Sequence, residues 1–95
     1  MGKKPVRVTF MTKPGCHLCD EAREIIDDVV ERMGRRGVEV NVDEVNILDE
    51  PALARLHSEE IPVVFIGRRR HSIWRVDRDR FTAAVEKASR GGLFA

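Results

Sequence analysis

Both cysteines of the chain lie within Lys13-Pro-Gly-Cys-His-Leu-Cys-Asp20. Two thiols with two residues between them suit three roles: a dithiol that exchanges with disulfides, half of a metal site, or neighbours brought together by packing. A purely structural disulfide is set aside, because thiols so close in sequence cannot staple distant parts of a fold. The choice turns on where the surrounding elements put the two sulfurs.

Pro5 to Met11 reads as a strand, with Val6, Val8 and Phe10 alternating against Arg7 and Thr9. Pro14-Gly15 ends it. The apolar period then changes: Ala22, Ile25, Ile26, Val29, Val30 and Met33 follow the spacing of an amphipathic helix. Asp20, Glu21 and Glu24 occupy its early turns and Arg32, Arg35 and Arg36 its end, as the macrodipole favours, with Gly34 or Gly37 closing it. Cys16 therefore belongs to the loop leaving the strand, and Cys19 to the first helical turn.

That placement carries chemistry. Amides at a helix N-terminus lack intrahelical acceptors and can stabilise an anion. A free cysteine, with a pKa of about 8.5, is only a few per cent thiolate at neutral pH. Lowering it to about 7 requires roughly 2 kcal/mol of preferential stabilisation. The helix dipole supplies about 0.3–1 kcal/mol, so hydrogen bonds to the sulfur and the charge of Lys13 are expected to supply the remainder. Cys16, the outer thiol, is the expected nucleophile, and Cys19 the thiol that attacks the resulting mixed disulfide. A cationic His17 would favour a Cys16 thiolate, whereas the helix terminus disfavours a cation, so a solvent-facing His17 without a role is the alternative. Leu18 is read as an apolar contact for a thiol substrate.

Downstream, Val38 to Ile47 alternates but changes parity between Val42 and Val45, which predicts a strand with a bulge or bend. Asp49 and Pro51 suit the start of a short helix carrying Leu53 and Leu56. Ile61-Pro62 ends it and opens Val63-Val64-Phe65-Ile66, a run expected of a strand buried on both faces. A turn over Gly67 to Arg70 and a returning strand from His71 to Val76 follow. Asp77 then caps a last helix with Phe81, Ala84, Val85 and Ala88 inward, ended by Gly91-Gly92. The order is β-α-β-α-β-β-α. Helices between the first three strands predict parallel crossovers, and the short Gly67 to Arg70 link an antiparallel hairpin. The expected fold is α/β: a mixed four-stranded sheet flanked by helices on both faces.

The bulk composition bounds the class of protein. Ninety-five residues, 42% hydrophobic and 35% charged, describe one small globular domain, read as 1–95 with ends 1–4 and 91–95 loose. A formal net charge of +1 predicts no general attraction to nucleic acid or anionic membrane. The N-terminal MGKKPVRVTF has no apolar stretch of the kind a secretory signal carries, and no run approaches membrane-spanning length. The expected compartment is the cytoplasm, where thiols stay reduced.

With TKPGCHLCD after a strand, EIPVVFIG further on, and this order of elements, the chain resembles glutaredoxins within the thioredoxin-like superfamily, most closely small glutaredoxin-like members of the Cys-His-Leu-Cys type. The resemblance implies a thiol–disulfide oxidoreductase acting through Cys16 and Cys19 on a disulfide-containing protein or a glutathionylated substrate. It implies no bound cofactor, with glutathione a candidate co-substrate, and a monomer. Electrons would come from glutathione or from a thioredoxin-reductase-type donor. It makes Ile61-Pro62 a cis-proline turn facing the cysteines, and sets Lys13 where glutaredoxins meet a glutathione carboxylate. Together with His17 and Leu18, these form the expected substrate site. One segment departs from the pattern: where glutaredoxins carry Gly-Gly and an Asp, this chain has Ile73-Trp74-Arg75-Val76-Asp77. Asp77 can stand in for the acid, but the glycines have no counterpart.

Two other readings compete. Cys16, His17 and Cys19, with His57 or His71 as a fourth ligand, could hold a metal, or a cluster with glutathione's help. Against this, the chain lacks a second CxxC or paired histidines, and adjacent Cys16 and His17 chelate one ion poorly, so no metal site is expected. The run Arg68-Arg69-Arg70 with His71 could serve a non-catalytic binding module, or simply keep a hairpin turn soluble. In a thioredoxin-like sheet that turn lies at the end away from the cysteines.

Overall fold

Val6, Val8 and Phe10 bury on one face of β1 (Val6–Thr12), as their alternation requires, and the amphipathic helix α1 (His17–Arg35) covers that face. The computed structural model, which describes residues 4–91, continues through β2 (Val40–Asn46), a single 3-10 turn (Ile47–Asp49) and α2 (Pro51–His57). It ends with β3 (Val63–Ile66), β4 (Arg69–Ile73) and α3 (Arg78–Ser89). The four strands form one mixed sheet in the order β2-β1-β3-β4. Ala22, Ile26, Val29 and Met33 of α1 and Phe81, Val85 and Ala88 of α3 share one core with Val6, Val8, Phe10 and Val64. The opposite face carries a smaller core of Met11, Cys19, Ile47, Ile61 and Val63, against which Leu53 and Ala54 of α2 pack. Helices thus lie on both faces, in the expected order.

The strand directions correct one expectation. β1 and β2 are parallel, but β3 runs antiparallel to β1, so the crossover through α2 is not a parallel one. The chain leaves β2 at Asn46, beside Thr12, and enters β3 at Val63, beside Met11. Both points lie at the same end of the sheet. A helix of seven residues spans about 10 Å, too little to carry the chain back along the sheet. The hairpin between β3 and β4 is antiparallel, as expected.

Smaller differences have equally physical causes. β2 pairs with β1 without interruption from Val40 to Asn46, so the parity change is not a bulge. Glu44 occupies an inward-parity position at the sheet edge, and Val42, on that same side, is 37% exposed there. An irregularity does occur, in the β3–β4 ladder between Val64 and Phe65. β4 starts at Arg69 because Gly67, at φ +61°, reverses the chain earlier than its three arginines suggested. Leu53 packs inward, whereas Leu56 stands 71% exposed. The expectation of loose ends falls largely outside the described residues. Lys4, within them, donates its backbone amide to the Ser89 carbonyl at 2.8 Å. None of the described helices is long and apolar enough to cross a membrane.

Because Phe10 is 1% exposed at the centre of the larger core, Phe10→Ala should cost about 3–5 kcal/mol in denaturant unfolding. Leu56→Ala, at an exposed position, should stay within about 0.5 kcal/mol of wild type.

Candidate active site

The loop Lys13-Pro14-Gly15 turns the chain out of β1, with Gly15 at φ +72°, and delivers Cys16 to the N-cap position of α1. Its backbone is extended there, φ −94° and ψ 112°, and its side chain accepts a hydrogen bond from the Cys19 amide at 3.2 Å. Caps of this geometry usually place a Ser, Thr, Asp or Asn oxygen on the open amide. Here a sulfur takes that place, so the donor that closes the helix end is also a donor to the thiol. Cys16 remains partly exposed.

Cys19 has the opposite surroundings. It is 1% exposed among Met11, Ile47, Ile61 and Val63. Burial, foremost, and its hydrogen bond to Cys16 push the thiol up to about 12, with the nearby Cys16 charge adding to the shift. A backbone hydrogen bond from Lys13 and the charge of Arg23 pull the other way without prevailing. At neutral pH, Cys19 is a protonated thiol beneath an accessible one.

The other sequence candidates scatter in instructive ways. Ile61-Pro62 is a cis peptide, and Ile61 packs in the cluster that holds Cys19, with Cys16 against its edge. Leu18, in the first turn of α1, is half-buried. Lys13 has an exposed side chain, and the contact it makes with the dithiol runs through its backbone. His17 projects into solvent with its side chain 91% exposed, nearest Glu21 at 3.8 Å rather than drawn over the Cys16 sulfur. Asp77 uses its carboxylate to accept from the Arg80 amide at 2.9 Å, as the cap of α3. His57 bonds Glu60 at 3.0 Å and meets Phe65 edge-on, while His71 packs on Phe81. Among the described residues, no group of three His, Cys, Asp or Glu side chains is gathered as a metal would need. The arginine turn lies at the opposite end from Cys16, as expected, with Gly67 bonded to the Arg7 carbonyl at 2.8 Å.

Two features escaped the sequence reading. Arg23, one turn beyond Cys19 on α1, is clamped by Glu44 at 2.5 and 3.0 Å and by Asp20 at 2.9 Å. The Arg23 guanidinium holds the Glu44 carboxyl below its usual range, and Thr12 adds a further hydrogen bond at 3.2 Å. The signal was the acid breaking the inward pattern of β2. The second feature is Trp74, which adopts the left-handed conformation at φ +68°. A non-glycine residue there costs about 1–3 kcal/mol, so the surroundings must hold it. They do: its amide donates to the Pro62 carbonyl at 2.8 Å and its indole N–H to the Glu59 carbonyl at 3.0 Å.

A CxxC pair at a strand-to-helix junction, opposite a cis-proline, on a four-stranded mixed sheet defines a thioredoxin-fold protein of the redox type. Within that class the chain belongs to the glutaredoxin-like domain family (DUF836), whose profile matches residues 7–86. It is similar to the uncharacterized protein Rv0508 of Mycobacterium tuberculosis, 27% identical over 85 residues that cover 90% of this chain and 88% of that one. Among solved structures, it is similar to target protein XcR50 from X. campestris, with a TM-score of 0.62 and 28% identity over 83% of this chain and 95% of that chain. Thioredoxin-2, a component of malaria parasite protein secretion machinery, shares the fold, with a TM-score of 0.69 and 18% identity over 87% of this chain and 82% of that one.

The contrast between the two thiols predicts asymmetric labelling. Iodoacetamide at about pH 8 should modify the reduced, folded protein once, at Cys16, with Cys19 reacting only after denaturation. Peptide mapping by mass spectrometry checks this.

Proposed function

We propose that the protein is a thiol–disulfide oxidoreductase that works through the Cys16–Cys19 dithiol. The observation carrying this reading is the Cys16 sulfur accepting the Cys19 amide at the mouth of α1. The contact holds the sulfur on an open amide of the helix terminus, and partial exposure lets a substrate reach it.

The thiolate of Cys16 attacks one sulfur of the substrate disulfide. A Cys16–substrate bond forms, the substrate S–S bond breaks, and the other substrate sulfur leaves as a thiolate that takes a proton from water. Cys19 then gives its proton to water and attacks the Cys16 sulfur: the Cys16–Cys19 bond forms, the Cys16–substrate bond breaks, and the second substrate sulfur leaves as a thiolate that takes up that proton. The two electrons come from the dithiol. Two of the influences that keep Cys19 protonated arise from Cys16: its hydrogen bond and its charge. Both weaken once Cys16 is bonded to substrate, which eases the loss of the Cys19 proton at the step that needs it, while burial, the larger influence, stays.

Glutathione or a thioredoxin-reductase-type donor would return the pair to the dithiol, with no tightly bound cofactor and a single chain sufficing. Disulfide-containing proteins and glutathionylated thiols are the substrate classes, in a reducing compartment such as the cytoplasm.

Reduction of a protein disulfide such as that of insulin tests the roles. Cys16→Ser should lower the rate to background, and Cys19→Ser should halt after one step with substrate attached at Cys16, seen as an added mass released by dithiothreitol. Full activity in Cys16→Ser would overturn the assignment.

A further inference from the structure

A second feature lies beside the thiols. Between α1 and the segment joining β4 to α3 runs a groove of about 230 Å³. Leu18 and Ile25 line one wall, Trp74 and Val76 the other, and the Arg75–Glu21 pair, 3.5 Å apart, stands at its mouth. Leu18 shares the first turn of α1 with Cys19, and Trp74 is bonded to the carbonyl of the cis-proline Pro62, so the groove lies at the cysteine end of the sheet. Building on the dithiol reading above, we propose that this groove is a specificity pocket that takes one bulky apolar side chain of a polypeptide substrate, next to the cysteine being reduced.

Size and charge select that occupant. Cavities that enclose a whole small molecule run to about 300–1,000 Å³, so this one suits a single side chain with the rest of the substrate outside. Glu21 sets a carboxylate at the entrance, where it neutralises Arg75, the cation otherwise available to an anionic ligand. A tripeptide with two free carboxylates gains little there. A neutral polypeptide segment meets an apolar wall flanked by a balanced ion pair.

The wider surface agrees. Leu48, Leu56 and Trp74 are among the exposed large apolar residues, and all three belong to the connections that leave β2 and β4 at the cysteine end of the sheet. Trp74 is held in its left-handed conformation by two hydrogen bonds while its ring stays 52% exposed. An aromatic ring kept rigid in contact with water loses little freedom when a partner covers it.

Trp74 is also the chain's one tryptophan, which makes it a reporter. Two short peptides, each with serine in place of cysteine and either Phe or Gly beside it, should be titrated into a Cys16→Ser, Cys19→Ser double variant. The Phe peptide should shift indole emission to shorter wavelength saturably, and the Gly peptide should bind at least about tenfold more weakly. Leu18→Ser should abolish that difference, while Val42→Ala, on the outer strand, should preserve it. In single-turnover oxidation of the reduced wild type by the matching cysteine peptides as disulfide dimers, Phe should exceed Gly by about tenfold in kcat/KM, and Trp74→Gly should erase the preference. Equal binding of the two peptides, or faster oxidation by glutathione disulfide than by the Phe dimer, would overturn the proposal. Because the fluorescence measurement uses no thiols, a failure of the exchange chemistry alone would show as peptide binding without oxidation.

Discussion

One hydrogen bond organises the redox end of the molecule: the Cys19 amide held on the Cys16 sulfur. It satisfies an open donor of α1, and thereby fixes where the helix begins. It also sets the sulfur at the boundary between helix and solvent while the next cysteine turns inward. Cap and reactive group are one atom. Any change that moved the start of α1 by a residue would unseat the thiol and open the helix end together. The amphipathic length of α1 guards against that, since Ala22, Ile26, Val29 and Met33 lock its rotation and height against the sheet.

The rest of the fold keeps the two sulfurs in unlike surroundings. The larger core under α1 and α3 is conventional packing. The smaller one, closed by α2 and the Ile61-Pro62 turn, exists chiefly around Cys19. Because α2 is short, the connection from β2 to β3 starts and finishes at the cysteine end, and it brings Ile47 and Ile61 over the inner thiol. The antiparallel course of β3 and the burial of Cys19 therefore share one cause. Exposure keeps the first sulfur accessible, and desolvation keeps the second in reserve.

Much of this was legible in the residues. Alternation gave β1, the helical period gave α1, and the apolar run Val63 to Ile66 gave a strand shielded on both sides. The spacing of Cys16 and Cys19 placed one in the loop and one in the helix. Direction was not legible, because a helix between two strands suggests a parallel crossover until its length is weighed against the sheet. The Arg23–Glu44 clamp was hidden because an acid at an inward position reads as a break in pattern rather than as a partner for a helix on the same face. Which of the two readings of His17 holds could not be read, since adjacency in sequence says little about direction at a helix start, where successive side chains diverge by about 100°. Trp74 showed in the sequence only as a departure from the glycines of the pattern, and its backbone conformation could not be read from a residue type that seldom adopts it.

The bond between Lys4 and Ser89 has a practical side. It draws the entering and departing backbone together beside the start of β1, whereas the sulfurs sit past its far end. A tether, dye or solid support fastened at Lys4 or Gly91 would hang from the pole opposite the chemistry. Immobilised that way, the molecule would present its thiols outward, like a plug held by its cord.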